Sequence, residues 1–273
     1  MTESKSDSLE FVGCDLVYSP EKPAFESNPT TLRSQVRRPL KVNGKRMLTI
    51  DIHAHCQLSE IWPLVEGRTE LGGKNPYDDT ERKHVENIPE RLAQMDDMGL
   101  DMQALSITVF QHFNWAEQEL AQILVEKHNQ KLAEICETYP DRFVALGVVA
   151  LQHPELAARQ LDRAVREYGH RGVMITANIN GEDLSDPKFH PFWQKAEELD
   201  VVIFIHPKHF SEGTERFKGK GFLSNVIGNP LDTSVALAHL IYEGTLDRFP
   251  GLKVVFAHGG LSLIHISEPT RLQ

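Results

Sequence analysis

Histidine recurs at three points where a metal site could be assembled. In Thr49-Ile50-Asp51-Ile52-His53-Ala54-His55, a regular strand would present Asp51, His53 and His55 on one face, because successive side chains alternate. Two imidazoles on one face can converge on a single ion, and neutral imidazole is a common ligand for zinc and similar divalent metals. A His-x-His pair also arises by chance in a chain with 13 histidines. Two more histidines, however, follow apolar, β-branched runs. Val201-Val202-Ile203-Phe204-Ile205 leads into His206-Pro207, and Val254-Val255-Phe256-Ala257 leads into His258-Gly259-Gly260. Any one of these rings could be a core residue satisfied by hydrogen bonds; three strands that all end in histidine point to a shared cation. Cys56, beside His55, falls on the other face of such a strand and reads as a buried, inert thiol.

The elements that must position these rings alternate. Residues 1 to about 39, rich in Ser, Pro, Glu and Lys, lack a sustained apolar period and read as a surface or mobile arm. Asn43-Gly44 is a hairpin signal, expected to deliver Met47 into the first core strand. The polar stretch from Gln57 to Asn87 is either a lid or an ordinary surface excursion. Pro89 then opens a helix that stops at Gly99, and a strand follows from Met102 to Ile107. Asn114 is the expected cap of a helix from Trp115 to Thr138, before a strand from Phe143 to Val149. Further helices are expected at Pro154–Tyr168, Pro191–Leu199 and Leu231–Arg248, alternating with strands at Gly172–Thr176, before His206 and before His258. Such alternation means parallel strands joined by helical crossovers. An open doubly wound sheet and a (β/α)8 barrel both fit. The barrel is favoured, because only a closed ring brings the first, fifth and sixth strands to one centre, and no Gly-rich phosphate fingerprint follows the first strand.

Composition narrows the function classes. A chain of 273 residues, 40% hydrophobic, can bury one sizeable core. A formal net charge of −10 argues against a nucleic-acid or anionic-membrane partner. There is no apolar run of membrane-spanning length and no secretory signal. Three isolated cysteines suit a reducing, cytoplasmic setting.

Asp51-x-His53-x-His55, His206-Pro207 and His258-Gly259-Gly260, with the connecting segments Gly181 to Trp193 and Glu243 to Leu252, resemble the amidohydrolase-related family typified by aminocarboxymuconate-semialdehyde decarboxylase. The resemblance implies a metal-dependent TIM-type barrel over residues 47–260, after an arm and hairpin at 1–46. It implies zinc, with manganese as the other ion, and non-oxidative decarboxylation of a small unsaturated or aromatic carboxylate. Hydrolysis on the same scaffold is the alternative, and homodimers are common in the family. It also implies His53, His55 and His206 as metal ligands, His258 as the acid/base residue, and a supporting rather than ligating Asp51. His112, His153 and His209 match no family motif and read as loop residues. Arg216, Lys218 and Lys220 read as a solvated charge run rather than a substrate-attracting set.

The family pattern continues through two further βα units to an aspartate ligand on an eighth strand. Here residues 261–273, Leu-Ser-Leu-Ile-His-Ile-Ser-Glu-Pro-Thr-Arg-Leu-Gln, depart from that pattern and resemble translated adapter sequence. The expectation is therefore an incomplete barrel of six βα units with a non-native tail, unstable alone, whose limiting case is an inactive metal-binding fragment.

Overall fold

The computed structural model describes residues 8–12, 15–19, 40–68, 70, 87–208, 210–217 and 223–259. Most of the long polar stretch after the first strand, His209, Lys218, Lys220 and the tail at 261–273 lie outside the described residues. Within the arm, Ser8–Val12 pairs antiparallel with Asp15–Ser19, a hairpin its polar composition did not announce. At Asn43-Gly44, Lys41–Val42 pairs with Lys45–Arg46, and φ values of 51° and 78° are the two positive values of a type I′ turn. Met47 is not delivered into a strand: Met47 and Leu48 are exposed, and pairing begins at Ile50.

Six parallel strands follow: β1 (Ile50–Cys56), β2 (Met102–Ile107), β3 (Phe143–Leu146), β4 (Gly172–Thr176), β5 (Val202–His206) and β6 (Lys253–Phe256). β1-β2-β3 form one parallel set and β4-β5-β6 another, and a single parallel bridge from Gly147 to Val173 joins them. At ~4.8 Å per strand, β1 and β5 would lie ~19 Å apart in a flat sheet. Yet Nε2 of His53 lies 3.1 Å from Nε2 of His206. The sheet is therefore curled into a barrel wall, and the open-sheet alternative falls.

The wall has two faces. Ala104, Leu146, Met174, Phe204 and Ala257 pack inside it. Outside, Ala54, Cys56, Leu105, Ile107, Phe143 and Ala145 pack beneath helices α1 (Ile88–Met98) and α2 (Gln118–Thr138). Val173, Ile175, Ile203 and Ile205 do the same beneath α3 (Pro154–Arg166), α4 (His190–Leu199) and α5 (Asn229–Tyr242). Gly172 shows how close the strands come: a Cβ there would sit 1.8 Å from the Val202 carbonyl oxygen. No helix among the described residues is long and apolar enough to cross a membrane.

Several boundaries move. Asn114 does not cap α2; its side chain donates to Thr176 Oγ1 at 2.8 Å, and the helix starts at Gln118. The expected helix over 231–248 is broken: α5 ends at Tyr242, Gly244 takes φ 78°, and Thr245–Arg248 forms a separate turn. β3 ends at Leu146, three residues early, where Gly147 leaves to bridge β4.

The largest departure lies in β1. Asp51 pairs with Gln103, but the next pair is Ala54 with Leu105, so β1 spends three residues where β2 spends two. One extra residue is a β-bulge, and it inverts the alternation. Asp51 faces the helix layer with Gln103, whereas His55 pairs with inward-facing Ser106. Asp51, His53 and His55 do not share a face, as a regular strand would require.

Candidate metal centre

β1 and β5 supply the inner rings. Nε2 of His53 lies 2.9 Å from Nε2 of His55, and Nε2 of His206 lies 3.1 Å from each. His258 completes the group, its Nε2 3.3 Å from that of His206. All four sequence-predicted site residues thus meet at one point inside the barrel wall. Nitrogens of His53, His206 and His258 also lie within 4.8 Å of one another, so His258 could replace His55 in a ligand trio.

Local contacts set the rings. His206 Nδ1 faces the Pro207 carbonyl oxygen at 2.6 Å. A carbonyl only accepts, so Nδ1 carries the proton and Nε2 keeps its lone pair. His55 Nδ1 lies 3.2 Å from Ser106 Oγ, a hydroxyl of β2 that orients the ring and can accept the Nδ1 proton. Phe204 packs edge-on against His53, ring centroids 5.4 Å apart. His258 sits past β6 with φ 56° and ψ 26°, a left-handed backbone that costs a non-glycine residue ~1–3 kcal/mol and often marks a functional position.

The donor set fits a divalent cation. Burial, with the neighbouring His258 ring second, pushes the His53 pKa down to about 4. Burial also holds His55 and His206 well below the ordinary imidazole value and lowers His258. The rings are therefore neutral at pH 7, and their inward lone pairs repel until a cation lies between them. At a metal–nitrogen distance of ~2.1 Å, donors at right angles sit ~3.0 Å apart and tetrahedral donors ~3.4 Å. Edges of 2.9 to 3.1 Å are close enough for the three nitrogens to be donors to one divalent ion.

Asp51 is not in this cluster. Its Oδ1 accepts from the His53 backbone N–H at 2.9 Å and its Oδ2 from Gln103 Nε2 at 3.1 Å. Cys56 is buried on the helix side. His112 is buried behind the site, pushed to about 3 by burial and then by the Lys208 ammonium. His153 faces the Ala116 carbonyl oxygen at 3.0 Å, and Arg216 is exposed. Sequence reasoning missed Ser106, Arg91, Gln103 and Asp232. Asp232 accepts from Lys208 N at 3.0 Å and Asn178 Nδ2 at 3.2 Å, tying the loop after β5 to the loop after β4. No spacing rule finds such residues; only the pairing of β2 with β1 marks Ser106 and Gln103 as neighbours of the histidine strand.

Comparison with known proteins agrees with this architecture. The chain is 30% identical over 231 residues to a 2-amino-3-carboxymuconate-6-semialdehyde decarboxylase of Dictyostelium discoideum, covering 79% of this chain and 64% of the relative. It is 29% identical over 219 residues to a gamma-resorcylate decarboxylase of Rhodococcus jostii (strain RHA1), covering 74% and 66%. It therefore spans just under two thirds of the length of both relatives. A crystal structure of 5-carboxyvanillate decarboxylase from Novosphingobium aromaticivorans, complexed with manganese and 4-hydroxy-3-methoxy-5-nitrobenzoic acid, superposes with a TM-score of 0.71 at 26% identity. That match covers 85% of this chain and 70% of the other. The amidohydrolase family model matches residues 50–272, from the start of β1 into the C-terminal tail. With that match spanning most of the chain and the barrel histidines converged, the protein belongs to the amidohydrolase family.

Proposed function

We propose that this chain carries the metal site of a non-oxidative decarboxylase acting on a small unsaturated or aromatic carboxylate. The observation that carries the reading is the convergence of four histidine Nε2 atoms from opposite sides of a curled sheet. His53, His55 and His206 are the ligands in this reading: His55 and His206 are the most buried of the four, and both have Nδ1 engaged elsewhere. Nitrogen donors favour zinc, and manganese, present in the carboxyvanillate decarboxylase structure, is the competing ion. A divalent ion held there supplies Lewis acidity and positive charge beside a substrate oxygen.

His258 does the proton transfer. Half-buried and outside the ligand trio, it is a neutral imidazole that gains a proton as an anionic substrate enters. It gives that proton to the carbon bearing the carboxylate. The C–C bond then breaks, its electron pair returns to the unsaturated system, and CO2 leaves. We read the six strands as six of the eight units of a (β/α)8 ring; coverage of 64% to 70% of the relatives' lengths supports this.

The test is CO2 release from a panel of aromatic and unsaturated carboxylates by the chain loaded with zinc or manganese. His258→Asn is expected to lower kcat by about 10²–10⁴-fold with metal content unchanged. Consumption of water without CO2 would assign a hydrolase on the same scaffold. Metal uptake without turnover would assign a metal-binding fragment.

A further inference from the structure

We propose that Asp51, Gln103 and Arg91 form a polar clamp that holds the β1 bulge and so aims His53 and His55 at the metal centre. The three make a closed run of hydrogen bonds from one ligand's backbone to the other's. The His53 N–H donates to Asp51 Oδ1 at 2.9 Å, and Gln103 Nε2 donates to Asp51 Oδ2 at 3.1 Å. Arg91 Nη1 donates to Gln103 Oε1 at 3.1 Å, and Arg91 Nη2 donates to the His55 carbonyl. Arg91 comes from α1, Gln103 from β2 and Asp51 from β1, so the run stitches three elements around one irregularity.

The polarity of each link follows from the one before it. A guanidinium only donates, so Gln103 must turn Oε1 towards Arg91. Its NH2 group then faces Asp51, which accepts on both oxygens. Gln103 and Arg91 are 6% and 9% exposed, so water does not substitute for a broken link. The clamp is needed because a bulge leaves its extra residue without a ladder partner, and a one-residue slip exchanges the two faces of a strand. Asp51 takes the His53 N–H inside the bulge, while Arg91 holds the far side at His55. These are positioning residues: Arg91 meets His55 at its backbone carbonyl, and Gln103 meets Asp51.

A polarity swap tests the clamp. Asp51→Asn still accepts the His53 N–H but turns the Gln103 amide, so that a donor meets Arg91. Gln103→Glu still accepts from Arg91 but sets a second carboxylate against Asp51. The double variant Asp51→Asn/Gln103→Glu restores a donor–acceptor match at every link with net charge unchanged. In the 273-residue chain, each single variant should weaken Zn2+ affinity, read by competition with a chromophoric chelator, by about 10–100-fold. The double variant should return to within about threefold of the parent, with the parental Co2+ absorption spectrum. Hydrogen exchange of the His53 amide, measured without metal, should speed up in Gln103→Glu and recover in the double variant.

The clamp rests on the metal reading only through the affinity readout. A parent chain that binds no zinc overturns that reading, and the His53 amide then decides the clamp alone. Single variants that match the parent in both readouts overturn the clamp. So does a folded double variant as weak as its weaker single. If a single variant fails to fold, the double variant decides: parental affinity supports the clamp, and a loss of about tenfold or more overturns it.

Discussion

The two halves of the barrel wall hold their histidines by different means. β4-β5-β6 lie over Trp193, Phe189 and Phe192, each fully buried, and His206 ends a regular strand at 1% exposure. Burying such side chains stabilises by ~1.5–3 kcal/mol each, so this half is fixed by packing. β1-β2-β3 are packed too, around Met95, Leu132 and Phe143, but they carry in addition a set of polar ties. Arg46 and the Thr49 backbone hold Asp101, Arg142 pairs with Asp96 at 2.9 Å, and Arg91 reaches His55 through the helix layer. Ile50 and Ile52 on β1 are about half exposed. The candidate centre needs both halves, two rings from each, across a seam of one parallel bridge. Packing tolerates little change of shape, whereas a polar lattice tolerates shape and fails on a wrong donor, acceptor or proton.

That contrast can be broken first at the centre. His206 Nε2 is within 3.3 Å of the other three Nε2 atoms, so His206→Ala should abolish stoichiometric metal binding, a loss of about 100-fold or more in affinity, read by metal analysis after gel filtration. Unchanged metal content would show that the first half binds alone.

Next comes the packed half. Gly172→Ala drives a Cβ into the Val202 carbonyl, and β4 and β5 must part. The expected loss is about 3 kcal/mol or more, read as a fall in the urea midpoint with the slope unchanged. A loss under about 1 kcal/mol would mean the second half yields as readily as the first.

The smallest effect is a gradual one, and it probes both halves by pH. Burial holds His112 at about 3 and His128 and His170 at about 4, below the ordinary 6.5. The unfolded chain takes up protons at these sites first, so stability is complete above about pH 6.5 and is lost as pH falls towards 4. His112 and His128 lie in the β1-β3 half, His170 at the seam and the likewise depressed His206 at the end of β5, so amide exchange should rise in both halves as pH falls. Stability that does not change between about pH 7 and 4 would refute the burial of these rings as neutral groups.

Much of this was readable in the chain. The order and span of β2 and β4, the stop of α1 at Gly99 and the Asn43-Gly44 turn follow from local rules, because apolar period and turn chemistry act over a few residues. Asn114 misled, since a capping residue competes for partners and Thr176, 62 positions away, won it. The helix expected through Gly244 misled because apolar period alone does not show where a glycine takes a positive φ.

The sequence by itself determined that strands and helices alternate and that histidine stands near the ends of three of the strands, because side-chain periodicity and residue chemistry are properties of neighbours along the chain. Only the tertiary structure decided that β1 carries an extra residue, that Asp51 turns away from His53 and His55, and that a hydroxyl orients His55 and a carbonyl His206. The physical reason is that a bulge is defined against the partner strand. Its register is set by β2 and its stability by Arg91 and Gln103, and no window of β1 alone contains them.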